Sequence, residues 1–350
     1  MYFQAAILEK LNTPFFIHKL EIPRDLSVGQ VLVRVYYSGI CGAQLNEQTG
    51  VKGNDKYLPH TVGHEGGCKV VATGPGVRNV RPGDHAVIHW RKGIGIDAQF
   101  PQYWCPELNK YVGGGAATTW NEYAAVSENR LTKINKDIPL DIAALLGCAV
   151  TTGLGVCSND VNIHIGESVL VTGCGGVGLN VLQGASLGGA YPIIGLDINE
   201  SKLRQALIFG ATHVINSHGK SLSDLVAEVK KIVGSAGVDN TIDTTGRPEV
   251  IEFGWETVHA SGVLCLVGQI KHDQQLALQT LPMHQGKTII GSDGGKTNPT
   301  VDIPRYLRLL QAGRLNLRGL ITHETSLQDI NTTLDLIRSG KANRCIIKMN

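Results

Sequence analysis

The run VLVTGCGGVGLNVLQGASLGGAYPIIGLD, from Val169 to Asp197, constrains this chain more than any other stretch. It opens on an apolar, β-branched segment, Val169–Val171, of the kind found in a buried parallel strand. Gly173, Gly175 and Gly178 follow in G-x-G-x-x-G spacing, with Gly176 and Val177 completing the loop. A helix-compatible segment then leads to a second apolar run that ends at Asp197. In such a unit the first glycine permits the tight strand-to-helix turn, and the second lets backbone approach a pyrophosphate. The third brings helix and sheet together, and the helix N-terminus offers free N–H groups to the phosphates. An acid at the end of the second strand accepts hydrogen bonds from ribose hydroxyls. With 43 glycines in the chain the spacing alone is weak. The order strand, glycines, helix, strand, acid is what predicts a Rossmann dinucleotide site.

At 350 residues the length favours two domains, and 42% hydrophobic content supports a real core. A net charge of +2 gives no electrostatic case for nucleic acid or a membrane surface. Two charge-free runs, Ile142–Asn159 and Ser168–Leu196, are long enough to raise a membrane span. Their Gly, Thr, Ser, Cys and Asn content, and Pro192, fit strand–turn–helix units better. The eight cysteines are scattered without a C-x-x-C pair, and MYFQAAILEK lacks a basic segment leading into an apolar core. Reduced thiols and a cytoplasmic location are therefore expected.

Residues 1 to about 140 read as mainly β, with Gln30–Ser38, Cys68–Ala72 and His85–His89 as short strands between Gly/Pro turns. That pattern suggests a partly closed antiparallel barrel or sandwich. Trp90 to Trp120 reads as a long irregular, aromatic lobe. Asp141–Ser158 is helical in pattern and carries Cys148. After Asp197, helices at Ser201–Phe209 and Leu222–Val233 alternate with strands at His213–Ile215, Asn240–Asp243 and Val263–Val267, which is the doubly wound pattern. Ile303–Ala312 and Leu327–Ser339 read as helices, and Cys345–Met349 as a terminal strand.

Three separated elements could converge on one metal: Cys41 in SGICGAQLNE, His64-Glu65 in PHTVGHEGGC, and Cys148 in LLGCAVTTGLG. Two thiolates and an imidazole are a zinc set that leaves a fourth position for substrate or water. Zinc there would act as a Lewis acid on an alcohol, with Glu65 beside it or joining as a ligand. Buried cysteines are also common as small core hydrophobes, and the spacing alone leaves both readings open.

GHEGGCKVVATGPGV resembles the zinc signature of the medium-chain dehydrogenase/reductase superfamily, the zinc alcohol dehydrogenases. SGICG, LLGCAVTTGLG and VTGCGGVGLNVLQGA resemble its other landmarks in order and spacing, over nearly the whole chain. The coenzyme region and DIPRYLRLLQAGRLNLRGLITHETSLQDINTTLDLIRSGKANR are nearest the glutathione-dependent formaldehyde dehydrogenase branch. The resemblance implies an α/β protein: a GroES-like, mainly β catalytic domain over 1–150, a Rossmann NAD-binding domain over 151–291, and a segment over 292–350 that returns to the catalytic domain. It implies catalytic zinc on Cys41, His64 and Cys148 with Glu65 beside it, facing the nicotinamide, and a homodimer or homotetramer. Arg344 matches a position that contacts the pyrophosphate, and Lys202 one near the adenosine ribose. Asp197 would repel a 2′-phosphate, which favours NAD over NADP.

Three departures qualify that reading. The family usually has a hydroxyl residue two positions after the first cysteine ligand, and often an acid and a histidine further on, the hydroxyl and the histidine belonging to a proton relay. Here stand Ala43, Gln44 and Asn46, so a water, a substrate hydroxyl or Glu65 must substitute, or the chemistry differs. Of the four closely spaced cysteines of a structural zinc site, the lobe Trp90–Trp120 has only Cys105, so one zinc per chain is expected. Cys68 replaces a usual glycine. By the resemblance, Trp90 and Trp120 fall near positions that line the substrate cleft, with His89, Arg91 and Lys92 beside them and His60 ahead of the metal histidine. Such a lining suits a small polar or anionic secondary alcohol or ketone better than a plain aliphatic alcohol: a sugar, cyclitol, polyol or phosphorylated derivative. The alternatives are S-(hydroxymethyl)glutathione, or an epimerase or lyase reaction with tightly held NAD.

Overall fold

Gln30–Ile40 is the strand on which the first half of the molecule is assembled. Its β-branched alternation suits a strand covered on both faces, and eight of its eleven residues are buried. In this computed structural model, which describes residues 1–350, it pairs antiparallel with three strands. These are Glu65–Thr73, Tyr123–Ser127 and, from the far end of the chain, Cys345–Lys348. The full sheet has seven strands and runs through Leu131–Ile134, His85–His89, Glu65–Thr73, Gln30–Ile40, Cys345–Lys348 and His323–Ser326, with Tyr123–Ser127 alongside Gln30–Ile40.

A second sheet, of five strands, orders Phe16–Glu21, Tyr2–Leu8, His60–Thr61, Lys110–Gly113 and Gln102–Cys105. The last two form an antiparallel hairpin, which corrects the expectation of an irregular lobe between Trp90 and Trp120. Tyr103 and Val112 of the hairpin pack into a small core with Phe3, Ile7 and Leu20. Its alternation was masked by aromatic residues on both faces, Trp104 packing on Tyr111 edge to face. The two edges of this sheet meet where the turn residue Glu107 accepts from the backbone N–H of Lys19.

The chain divides into two compact units: Met1–Ala149 with Asn298–Asn350, and Val150–Thr297. The first holds both sheets just described. The second contains a six-stranded, wholly parallel sheet, in the order His213–Asn216, Ile193–Asp197, Val169–Thr172, Val238–Asp243, Val258–Leu266, Thr288–Gly291. Counted along this unit, the order is 3-2-1-4-5-6, the doubly wound arrangement of the Rossmann fold. Its helices Gly176–Leu187, Glu200–Ile208, Leu222–Val233 and Pro248–Thr257 fall between successive strands. Leu222–Val233 begins on Ser221, whose hydroxyl caps Asp224 N–H, and ends on Gly234 at φ +91°. No helix is long and apolar enough to cross a membrane, and none of the eight cysteines forms a disulfide.

The edge contact of the five-stranded sheet carries a titratable group. His18 lies between Glu9, 2.8 Å from its Nε2, and Glu107 on its Nδ1 side. Burial lowers the His18 pKa, but the hydrogen bonds and charges of the two glutamates outweigh it, and the net shift is upward. The clasp therefore contributes stability fully below the unfolded value of about 6.5 and loses it as pH rises through the raised folded value. His18→Gln should cost at most about 1 kcal/mol, since the partners are partly exposed. Melting curves across pH should show the variant's deficit at acidic pH and its disappearance at alkaline pH.

Candidate metal and cofactor sites

The strand registers bring the chemistry-bearing residues of the first unit to one place. Cys41 directly follows Gln30–Ile40, and His64 directly precedes Glu65–Thr73, which pairs with it. Arg344 directly precedes Cys345–Lys348, where Cys345 sits opposite Ile40. Cys148 falls in the break between the helices Leu140–Leu145 and Ala149–Gly155, a break inside the stretch read from sequence as one helix. Ligand-capable atoms of Cys41, His64 and Cys148 all lie within 4.8 Å of one another.

Burial and mutual contact shape this set electrostatically. The Cys41 thiol is held well below the ordinary thiol range, first by its hydrogen bond with Cys148 and then by His64. Cys148 is pushed up by that contact with Cys41 and by burial. Burial lowers the His64 pKa, but the hydrogen bond and charge of Cys41 and the charges of Glu65 and Glu47 carry it upward. A cluster that can gather two sulfurs and one imidazole nitrogen, with Cys148 buried and Cys41 and His64 half-buried, fits zinc by donor chemistry. Gln44 supports it from behind: its Oε1 accepts from the Cys41 backbone N–H at 3.1 Å, and its amide nitrogen lies 2.5 Å from His64 Nδ1. An amide nitrogen donates, so here Nδ1 accepts and the ring proton sits on Nε2; with a metal on Nε2 the ring proton would move to Nδ1 and the Gln44 amide would present its oxygen there. Gln44 is fully buried and was not singled out from sequence as a contact of His64, although its place in the first turn of the helix opened by Cys41 is a capping position that could have flagged it.

Two expected residues have other partners. Glu65, 0% exposed, turns to Arg344 rather than joining the ligand-capable set. Burial raises its pKa, Arg344 opposes that, and its Oε1 has no hydrogen-bond partner. Arg344, expected at the pyrophosphate, is 3% exposed; it donates to Glu65 Oε2 and, at 3.0 Å, to the Ile40 carbonyl. The terminal strand's pairing beside Ile40 takes the guanidinium inward, so it is a buried partner of Glu65.

The expected substrate lining is also redistributed. Trp120 is 0% exposed, packs edge to face on Phe15 at 5.2 Å, and donates its indole N–H to Gly39 O: it belongs to the core. His89 is buried between Arg91 O and Thr132 Oγ1, and burial lowers its pKa to about 4, so it too is a packing group. Trp90 is half-buried beneath the Arg91 guanidinium, and Lys92 pairs on the surface with Asp97. Ala43 and Asn46 are half-buried on the short helix Gly42–Gln48. His60 contacts Asp55 at 2.9 Å and lies 3.9 Å from Glu47. Glu47 and Asp55 went unnoticed in the sequence because nothing local ties them to His60. Cys68 and Cys105 are buried in two separate cores.

In the second unit the glycine loop has the geometry its spacing predicts. Gly173 turns at φ +90° beyond its strand, and a Cβ on Gly178 would meet Gly173 O at 1.9 Å, so only glycine allows that helix–loop approach. Gly175, Gly176 and Val177 are half-buried at the start of Gly176–Leu187. The loop lies at the switch point between the strands Val169–Thr172 and Val238–Asp243, where the Thr244 hydroxyl donates to Gly173 O. Asp197 ends its strand with Oδ2 accepting from Cys174 N–H and Oδ1 from Asn199 N–H, which orients the carboxylate and leaves each oxygen a further lone pair. Lys202 is half-buried in the first turn of Glu200–Ile208.

Comparison with known proteins gives a consistent picture. Residues 27–136 match the alcohol dehydrogenase GroES-like domain, and residues 176–312 match the zinc-binding dehydrogenase family. The chain is 30% identical to alcohol dehydrogenase 2 of Zea mays, over 99% of this chain and 97% of that one. It is 29% identical to S-(hydroxymethyl)glutathione dehydrogenase of Paracoccus denitrificans, over 98% and 99%. The solved structure of benzyl alcohol dehydrogenase from Acinetobacter calcoaceticus superposes with a TM-score of 0.89, at 28% identity and full coverage of both chains.

Removing the support behind His64 is a direct check. Gln44→Ala should weaken zinc binding about 10–100-fold, read as zinc retained after dialysis against a chelator of graded strength. Retention equal to that of the parent would show that Gln44 does not hold the imidazole.

Proposed function

The chain belongs to the zinc-dependent alcohol dehydrogenases of the medium-chain dehydrogenase/reductase superfamily, and on that premise we propose that it moves a hydride between NAD and a small polar secondary alcohol or its ketone. The observation that carries the reaction is the convergence of Cys41, His64 and Cys148 within 4.8 Å. These three would hold one zinc ion through two thiolates and His64 Nε2. When bound, zinc supplies a positive charge that acidifies the substrate hydroxyl. The rest falls to the chain's own groups. Gln44 fixes the His64 ring, and Glu65, neutralised by Arg344, places a buried carboxylate behind the ligands without adding net charge. The first unit is thereby assigned as the catalytic domain and the second as the NAD domain.

In that second unit the N-terminus of Gly176–Leu187, reached through Gly173, Gly175 and Gly176, would receive the pyrophosphate. Asp197, pre-oriented by Cys174 and Asn199, would accept from the ribose hydroxyls and repel a 2′-phosphate. Lys202 would lie near the adenosine ribose. On the substrate side, Asn46, Glu47 and His60 on and beside the Cys41 helix, with Trp90 and Arg91 as further candidates, favour a polyol, cyclitol or sugar derivative over a plain aliphatic alcohol. S-(hydroxymethyl)glutathione is a second reading, favoured by the Paracoccus relative at 29% identity.

A panel of polyols, cyclitols, sugars, primary alcohols and S-(hydroxymethyl)glutathione, scored by nicotinamide reduction, separates these readings. The polar secondary alcohols should lead in kcat/KM, NAD should outperform NADP by about tenfold or more, and chelation should abolish turnover with zinc restoring it. Full activity in zinc-free protein would reject the reaction. Preference for the glutathione adduct would move the substrate to the second reading, and substrate conversion without net NAD reduction would point to an epimerase or lyase. Cys148→Ala should lose zinc and reduce kcat by at least about 1,000-fold.

A further inference from the structure

Oxidising an alcohol releases a proton as well as a hydride, and the groups nearest the Cys41–His64–Cys148 set differ sharply in their capacity to take one. Ala43 has no exchangeable proton, and Gln44 and Asn46 are neutral amides. Glu65 is fully enclosed and paired with Arg344. One carboxylate differs. Glu47 lies one helical turn beyond Ala43, so the two share a face of Gly42–Gln48. The Glu47 side chain is 36% exposed to solvent, and its charge acts on His64. His60 lies 3.9 Å from its carboxylate and is turned to Asp55 at 2.9 Å.

We infer that Glu47 is the group that takes the alcohol proton, directly or through one water, and passes it to bulk solvent, with His60 and Asp55 positioning it. This rests on the alcohol-oxidation reading above. In the forward step the substrate O–H bond breaks and its proton forms an O–H bond on the Glu47 carboxylate. The carbon's hydride with its electron pair reduces NAD, the substrate becomes the ketone, and Glu47 then releases the proton to water. Burial holds the Glu47 carboxyl above its ordinary range. His60, His64 and Lys52 pull it down and Asp55 pushes it up, so these are the charges that set its titration. A base poised upward in this way is better matched to neutral pH than an ordinary surface carboxylate.

Glu47→Gln keeps the size and removes the proton acceptor. In zinc-loaded enzyme it should lower kcat about 100-fold in the oxidation direction and flatten the acidic limb of the pH profile. Zinc content should be unchanged, and a small diffusible base such as imidazole should restore part of the rate. Glu47→Asp should keep a titrating limb at reduced rate, and it serves as the test should the glutamine variant fail to fold. Infrared difference spectra of the zinc-loaded protein across pH provide a readout apart from turnover: a protonated-carboxyl C=O band present in the parent and absent in Glu47→Gln. An unchanged rate and pH profile in Glu47→Gln overturns the inference. Should no alcohol be oxidised by the parent, the proposed function falls, and the infrared band alone decides: a parent band that survives Glu47→Gln, or no band at all, overturns it.

Discussion

The buried pair of Glu65 and Arg344 joins residues 279 positions apart and lies behind the metal-capable set. Taking two charges out of water costs several kcal/mol each, and their attraction offsets this only where further hydrogen bonds hold them. Arg344 has one, to the carbonyl of Ile40, the residue before Cys41. Removing either partner would leave a lone buried charge, a change typically worth about 3–5 kcal/mol. The pair therefore makes the position of Cys41 depend on the chain's last strand. Cys345–Lys348 completes the sheet beside Gln30–Ile40, and the same register brings Arg344 to Glu65. The same strand thus completes the sheet and carries the partner of Glu65.

What was legible in the sequence follows the range of the interactions involved. The dinucleotide unit was readable because each of its parts is local: a β-branched strand, glycines at fixed spacing, and an acid at the next strand's end. Even the close approach at Gly178, where a side chain would strike Gly173 O, is a contact across five residues. The metal set is different in kind. Cys41, His64 and Cys148 meet only through strand pairing and a helix break, so their spacing could not separate ligands from core cysteines. Resemblance to known landmarks carried that step.

The misplacements share one cause, since sequence fixes neighbours along the chain but not the direction in which a side chain leaves it. Resemblance placed Arg344 at a phosphate, yet its strand turns it inward to Glu65 and the Ile40 carbonyl. Resemblance placed Trp120 near a cleft, with His89 beside Trp90, but both are buried, where Trp120 meets Phe15 and His89 meets Thr132. The hairpin Gln102–Gly113 was read as loop because tyrosine and tryptophan on both faces hide the alternation that marks a half-buried strand.

Two carboxylates near one cation-binding set show how environment divides labour between identical chemical groups. Glu65 is sealed, held by a guanidinium, and can exchange a proton with solvent only if the sheet opens; its role is to fix charge and geometry. Glu47, on the first turns after Cys41, has water on one side and His60 at ion-pair distance on the other. Burial raises the pKa of both, but only at Glu47 does that shift coexist with a path for protons. A site that lacks a hydroxyl at Ala43 needs such a path from some other residue. The helix that begins at the first ligand supplies one a single turn further on.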